Sequence, residues 1–169
     1  KGNDQSLSPY AFTKSKNLQL LNHLKKWFGL SYEALYFYNV YGSGHIREGA
    51  MATVIGIFEK QYLSKKPLTV VRPGTQSRKF THIDDTVKGC YYAWKQNNNR
   101  HYSLSHMRSY TIKEVAAFFT KNTKMIPAKL GERKKSSTTK KIGRIKIYPF
   151  QCKINLPSYI KEFKENSSI

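Results

Sequence analysis

Three features of this 169-residue sequence predict an α/β fold. Stretches with apolar residues at helical spacing alternate with short runs rich in aromatic and β-branched residues, the order that builds α/β layers. Clusters of Gly, Pro and Asn punctuate the boundaries between them. Hydrophobic residues make up 39%, enough for one sizeable core in a chain of this length. No internal repeat breaks the pattern.

Taken in order, Ser8-Pro9 opens a long helix in which Leu18, Leu21, Leu24 and Phe28 recur at amphipathic spacing, and Gly29 stands as its C′ residue. Leu30 to Val40 reads as one buried strand, and Tyr41-Gly42-Ser43-Gly44 as a turn. Met51 to Leu63, with Val54, Ile55, Phe58 and Tyr62 on one face, predicts a second helix. Pro67 leads into a strand at Leu68 to Val71, closed by Pro73-Gly74, and Lys79 to Ile83 forms another. Asp84 or Asp85 is expected to cap a helix reaching about Trp94. Asn97 to Asn99 is a loop, and His101 to Ser105 alternates as a strand does. Thr111 caps a helix through Phe119, with Glu114 completing a capping box. The Lys-rich stretch 122–150 is expected to hold one short strand near Ala128 to Leu130, and Pro157 to Lys164 a closing helix. Met107 and Met125 are read as packing residues, and Trp27 and Trp94 as parts of helix faces.

Several function classes drop out early. No apolar run reaches the roughly 18 residues of a membrane span, so no membrane partner is expected. The polar start, Lys1 to Gln5, is not a signal peptide and has no initiator Met, which reads as a fragment or a processed product. Cys90 and Cys152 lie far apart and outside CxxC spacing, as in a cytoplasmic protein with reduced thiols. The five His residues show no ligand spacing, so no metal is expected. The net charge of +20, from 30 Lys+Arg against 10 Asp+Glu, attracts anions in general. Neither a helix-turn-helix, a zinc finger nor an RNP motif accompanies it, so no specific nucleic acid is expected.

The chemistry starts at Tyr10-Ala-Phe-Thr-Lys14, where Tyr and Lys share one helix face at i and i+4. An ammonium beside a phenol favours phenolate, and a Tyr so placed can act as a general base near neutral pH. Two further runs follow: Tyr36-Phe-Tyr-Asn-Val-Tyr-Gly42, and Pro73-Gly-Thr-Gln-Ser-Arg-Lys-Phe-Thr-His-Ile-Asp-Asp85.

With Ser8-Pro-Tyr10 these runs resemble the extended short-chain dehydrogenase/reductase family, the NAD-dependent nucleotide-sugar epimerases and dehydratases. That family shows SPYxxSK, RYFNVYGP and GDGxQxRDFxxVDD in this order and at similar spacing. Gly131-Glu-Arg133 is a fainter fourth match, and the resemblance covers about residues 5–135. It implies that Tyr10 is the catalytic base at the sugar hydroxyl, and that Lys14 holds the nicotinamide ribose and tunes the Tyr. Tyr38 would stand beside the nicotinamide of NAD. Asn39, Arg78 and Arg133 would bind the substrate diphosphate, with Thr69 and Val71 along the nucleotide base. For His82-Ile-Asp-Asp85 the resemblance implies a capping and orienting role, not a catalytic dyad.

The implied architecture is the C-terminal part of a Rossmann-like NAD(P)-binding fold plus a small mixed α/β substrate-binding domain. Residues 1–42 would supply the last helix and strand of the cofactor domain. Residues 43–169 would be mostly substrate-binding domain, with part of the chain returning to the sheet and a basic C-terminal segment. The implied activity is NAD-dependent epimerisation of a nucleotide sugar, best a UDP-hexose 4-epimerase. A nucleotide-sugar 4,6-dehydratase, or a non-catalytic sugar-nucleotide-binding fragment, stands as the alternative. No G-x-x-G-x-x-G run occurs, and the family's Ser/Thr partner of the Tyr has no counterpart. The chain alone is therefore expected to be inactive and a weak NAD binder. Tyr36 stands where the family often has Arg, and Arg72-Pro73-Gly74 replaces Gly-Asp-Gly. Expected partners are the nucleotide-sugar substrate and either a second copy, through the helix bearing Tyr10, or a complementing N-terminal half.

Overall fold

A computed structural model describes residues 9–128 and 140–167. The predicted first helix is α1, Pro9–Phe28. It ends where predicted: Gly29 takes φ +68° and its N–H bonds Lys25 O at 3.0 Å, a conformation that costs glycine nothing. The single strand expected over Leu30 to Val40 is instead two, β1 Ala34–Phe37 and β2 Val40–Tyr41. The break is Asn39, in the left-handed region at φ +32°, which Asn tolerates better than any β-branched residue would. Likewise the strand expected over Lys79 to Ile83 divides into β4 Ser77–Lys79 and β5 Thr81–His82.

Between them lie α2, Val54–Leu63, and β3, Leu68–Val71. Helix α2 starts three residues later than the periodicity suggested, because Thr53 is its cap and accepts from Gly56 N at 3.1 Å. Then come α3 Ile83–Gln96, β6 His101–Ser105, β7 Ser109–Thr111 and α4 Ile112–Phe119. The capping box of α4 forms as predicted: Glu114 N donates to Thr111 Oγ1 at 3.1 Å and Thr111 N to a Glu114 carboxylate oxygen at 2.7 Å. The cap of α3 does not. His82 caps it, its Nδ1 accepting from Asp84 N at 3.2 Å, and Asp85 turns inward instead.

The last third departs most from expectation. The strand placed near Ala128 to Leu130 is β8 at Thr123–Ile126, and 129–130 lie outside the described residues. Two unforeseen strands follow, β9 Lys141–Ile142 and β10 Ile145–Gln151, before the closing helix α5 Leu156–Asn166. Met107 is not a packing residue but fully on the surface, whereas Met125 packs against the core.

Strands β1, β6 and β10 run parallel in one sheet, and β9 joins β10 antiparallel. Strand β6 is central and buried at four consecutive positions, as a parallel strand covered on both faces should be. Helix α3 covers one face, with Gly89 and Ala93 close to Leu104. Three smaller pairs, β2 with β5, β3 with β8 and β4 with β7, surround a second and larger core. There Phe119 meets Phe58, Tyr62 and Phe163 at ring distances of 6.0–6.1 Å, which ties α2, α4 and α5 together. Among the described residues no helix is long and apolar enough to cross a membrane.

Candidate functional site

A cavity of about 410 Å³ opens between β2, β3, β4 and the start of α2. Asn39, Thr69, Val71 and Arg78, four residues singled out from separate parts of the sequence, all line it. Local structure explains each placement. The left-handed turn at Asn39 redirects the chain from β1 into β2, and its Nδ2 donates to Lys79 O at 2.7 Å. Gln61, one turn from the end of α2, clamps Thr69: its Nε2 donates to Thr69 Oγ1 at 2.8 Å and its Oε1 accepts from Thr69 N at 2.9 Å. Val71 alternates with the buried Val70, so it faces the cavity while Val70 faces the core. Arg78 sits on β4 opposite Tyr110 of β7, with Nη1 donating to Ser77 O at 3.0 Å.

Gln76 was missed as a site residue although it lies in the same run. It stands two residues before Arg78, lines the cavity with it, and its Nε2 holds Val71 O at 3.0 Å. The period of two was the available signal. The rest of the wall is apolar, from Val40, Phe80, Ile112 and the first turns of α2. A flat, uncharged ring fits that lining, and an anionic group fits the end marked by Arg78 and Asn39. A second cavity of about 510 Å³ lies at the other end of α2, between Tyr62, Lys65, Lys66 and Asn122. It is the larger of the two, yet none of the described site residues that the sequence singles out lines it.

Tyr10 and Lys14 stand at the exposed start of α1, where Tyr10 is 72% accessible and the Lys14 ammonium lies 5.5 Å from its ring centroid. The helical spacing does bring the pair together. Tyr38 lies between β1 and β2, half-buried, near enough to Lys79 to act on its charge. Burial lowers the Lys79 ammonium and Tyr38 opposes the shift, while Lys79 Nζ donates to the carbonyls of His106 and Met107 at 3.0 and 2.6 Å. Arg133 and its neighbours Gly131 and Glu132 lie outside the described residues.

Two carboxylates carry structure the sequence reading did not foresee. Asp85 Oδ2 accepts from the backbone N–H of Lys153 and Ile154, both at 2.8 Å, and so fixes the segment between β10 and α5 against α3. Glu59, 0% exposed on α2, accepts from His45, Arg47 and Tyr159. Burial disfavours its charge, but the hydrogen bonds from His45, Tyr159 and Arg47 outweigh burial and hold the carboxyl below its ordinary range. A Glu on the buried face of an amphipathic helix, next to Phe58, was the overlooked sign.

Comparison with solved structures places the fold. The UDP-glucose 4-epimerase of Thermotoga maritima, solved with UDP-glucose, superposes with a TM-score of 0.78 at 21% identity, covering 96% of this chain and 55% of that one. The protein is thus part of a Rossmann-like α/β fold, in which β1, β6 and β10 supply parallel strands. The model of the NAD-dependent epimerase/dehydratase family matches residues 1–105, and the chain belongs to that family. An uncharacterized UDP-glucose epimerase of Bacillus subtilis is 42% identical over 83 residues, 49% of this chain and 25% of its own length. UDP-glucuronate 4-epimerase 3 of Arabidopsis thaliana is 36% identical over 90 residues, 52% of this chain and 20% of its own length. The match thus spans about a quarter or less of these curated relatives, and the chain about half of the solved one.

Proposed function

We propose that this chain carries the substrate half of a UDP-hexose 4-epimerase, with the cavity between β2, β3 and β4 as its nucleotide end. One observation supports this above the others: residues from three distant runs, Asn39, Thr69 with Val71, and Arg78, line a single cavity. In this reading the base lies along Thr69 and Val71, and Arg78 and Asn39 donate to the diphosphate. One N–H of Asn39 Nδ2 serves Lys79 O, which leaves a second hydrogen on the same nitrogen for the ligand. Arg133 is proposed as a second diphosphate donor.

Fit to NAD is divided. Tyr10 and Lys14 stand side by side and open, as two groups reaching one ribose and one sugar hydroxyl must. Tyr38 is placed in this reading beside the nicotinamide. For the pyrophosphate, the chain's ten glycines include no G-x-x-G-x-x-G run, and in this reading a complementing half supplies that cradle. NAD, where bound, supplies the hydride acceptor for the sugar C4. Tyr10 takes the proton of the C4 hydroxyl and later returns one, and the Lys14 ammonium favours the phenolate that does so. The apolar wall around the base keeps water from that end of the substrate. The exposed Phe12, Leu20 and Trp27 of α1 suit a second copy of the chain.

Calorimetric titration with UDP tests the site. Wild type should bind, and Arg78→Ala should weaken binding about 10- to 100-fold, the worth of a charge-assisted hydrogen bond. Equal affinity of wild type and Arg78→Ala would remove Arg78 from the diphosphate site.

A further inference from the structure

The segment 42–53 joins β2 to the cavity-lining start of α2. It contains Gly42, Gly44 and Gly49, all at positive φ, and so has little intrinsic stiffness. One buried side chain on α2 reaches it from beneath. Glu59 Oε2 accepts from His45 Nε2 at 2.8 Å and from Arg47 Nε at 2.9 Å, with Arg47 Nη2 also 2.9 Å away in the ion pair. Glu59 Oε1 accepts from Tyr159 on α5 at 2.8 Å. Gly42 N donates to His45 Nδ1 at 3.4 Å, which puts the ring proton on Nε2, facing the carboxylate.

His45 and Arg47 flank Ile46, and that is where the cluster acts. The Ile46 carbonyl accepts from Thr53 N at 3.1 Å. It also sits 2.5 Å from where a Cβ on Gly56 would be, so the loop lies directly on the first turn of α2. Thr53 and Ala52 line the cavity. A carboxylate on α2 thus grips both neighbours of the residue whose carbonyl fixes the cavity wall.

We propose that Glu59 is a positioning residue for the nucleotide cavity, holding segment 42–53 through His45 and Arg47 so that Ala52 and Thr53 form its wall. This rests on the reading of that cavity as a nucleotide site. Arg47 is partly exposed, so its removal spares the core, whereas Glu59→Ala strands three donors around a buried gap. Glu59→Gln keeps one oxygen to accept from His45 and Arg47, and its amide can face the Tyr159 oxygen, which accepts as well as donates. Glu48 pairs with Lys60 on the exposed side of the same loop and serves as the control.

The test is amide hydrogen exchange at His45, Ala52 and Thr53, with UDP affinity measured on the same proteins. Arg47→Met and Glu59→Ala should remove nearly all exchange protection, leaving the loop closed only about a tenth of the time, and so weaken UDP binding roughly tenfold, the reciprocal of the closed fraction. Glu59→Gln should recover most of both, and Glu48→Gln should change neither. If Glu59→Ala fails to fold, Arg47→Met decides. Unchanged exchange in Arg47→Met overturns the latch alone. Loss of nearly all protection with unaltered UDP affinity overturns its link to the site. A wild type that does not bind UDP overturns the nucleotide reading, and this proposal with it.

Discussion

Under the proposed function, replacing Tyr10 by Phe should lower interconversion of UDP-hexose C4 epimers roughly 10²- to 10⁴-fold, the usual worth of a positioned general base. The assay joins this chain to a Gly-rich cofactor half, supplies NAD, and follows the two epimers chromatographically. The ring survives in the variant, so the neighbourhood of Lys14, 5.5 Å from the Tyr10 centroid, is preserved. Tyr10 lies at the exposed start of α1 and, like the whole helix, contributes nothing to the buried core, so stability should hold. UDP affinity should also hold, because the cavity lining does not include α1. A fall in turnover with intact UDP binding assigns Tyr10 to the chemistry. Retained turnover would move the base elsewhere and leave the i, i+4 pair as a surface helix turn.

The largest loss of stability is expected at Phe119→Ala. Phe119 is 2% exposed and stacks edge-on or tilted against Phe58, Tyr62 and Phe163, so it is the point where three helices meet. Truncation loses the transfer free energy of the ring and leaves a cavity the aromatic neighbours cannot fill, about 3–5 kcal/mol together. That is a large share of the roughly 5–15 kcal/mol a domain holds in total. Urea denaturation should show a much lower midpoint. Trp27→Ala, at a residue 63% exposed on α1, should stay within about 0.5 kcal/mol of wild type.

The parts legible in the sequence were those with local causes. Helix α1 announced itself through its leucine spacing and Gly29, and α4 through Thr111 and Glu114, because caps and periodicity act within one or two turns. The breaks at Asn39 and between β4 and β5 were hidden, since a residue's tolerance of positive φ does not reveal that the chain uses it. Strand β10 was hidden for another reason. It holds one basic residue, Lys146, but directly follows Lys140, Lys141 and Arg144, so in sequence it reads as the end of a charged stretch. Asp85 looked like a cap by position, yet its partners are 68 and 69 residues away, a distance no local rule reaches. The same holds for Glu59 and Tyr159. In the cavity, motif residues were legible one by one, while their convergence, and the supporting grip of Gln61 and Gln76, needed the fold.

The most direct test of the nucleotide site is a two-dimensional amide spectrum of the isotopically labelled chain during titration with UDP. Shifts should saturate together at Asn39 and Val40, Ala52 to Ile55, Thr69 to Val71 and Gln76 to Phe80, the segments around the 410 Å³ cavity. Shifts gathered instead at Tyr62, Lys65, Lys66 and Asn122, around the 510 Å³ cavity, or no shifts at all, would contradict the nucleotide reading.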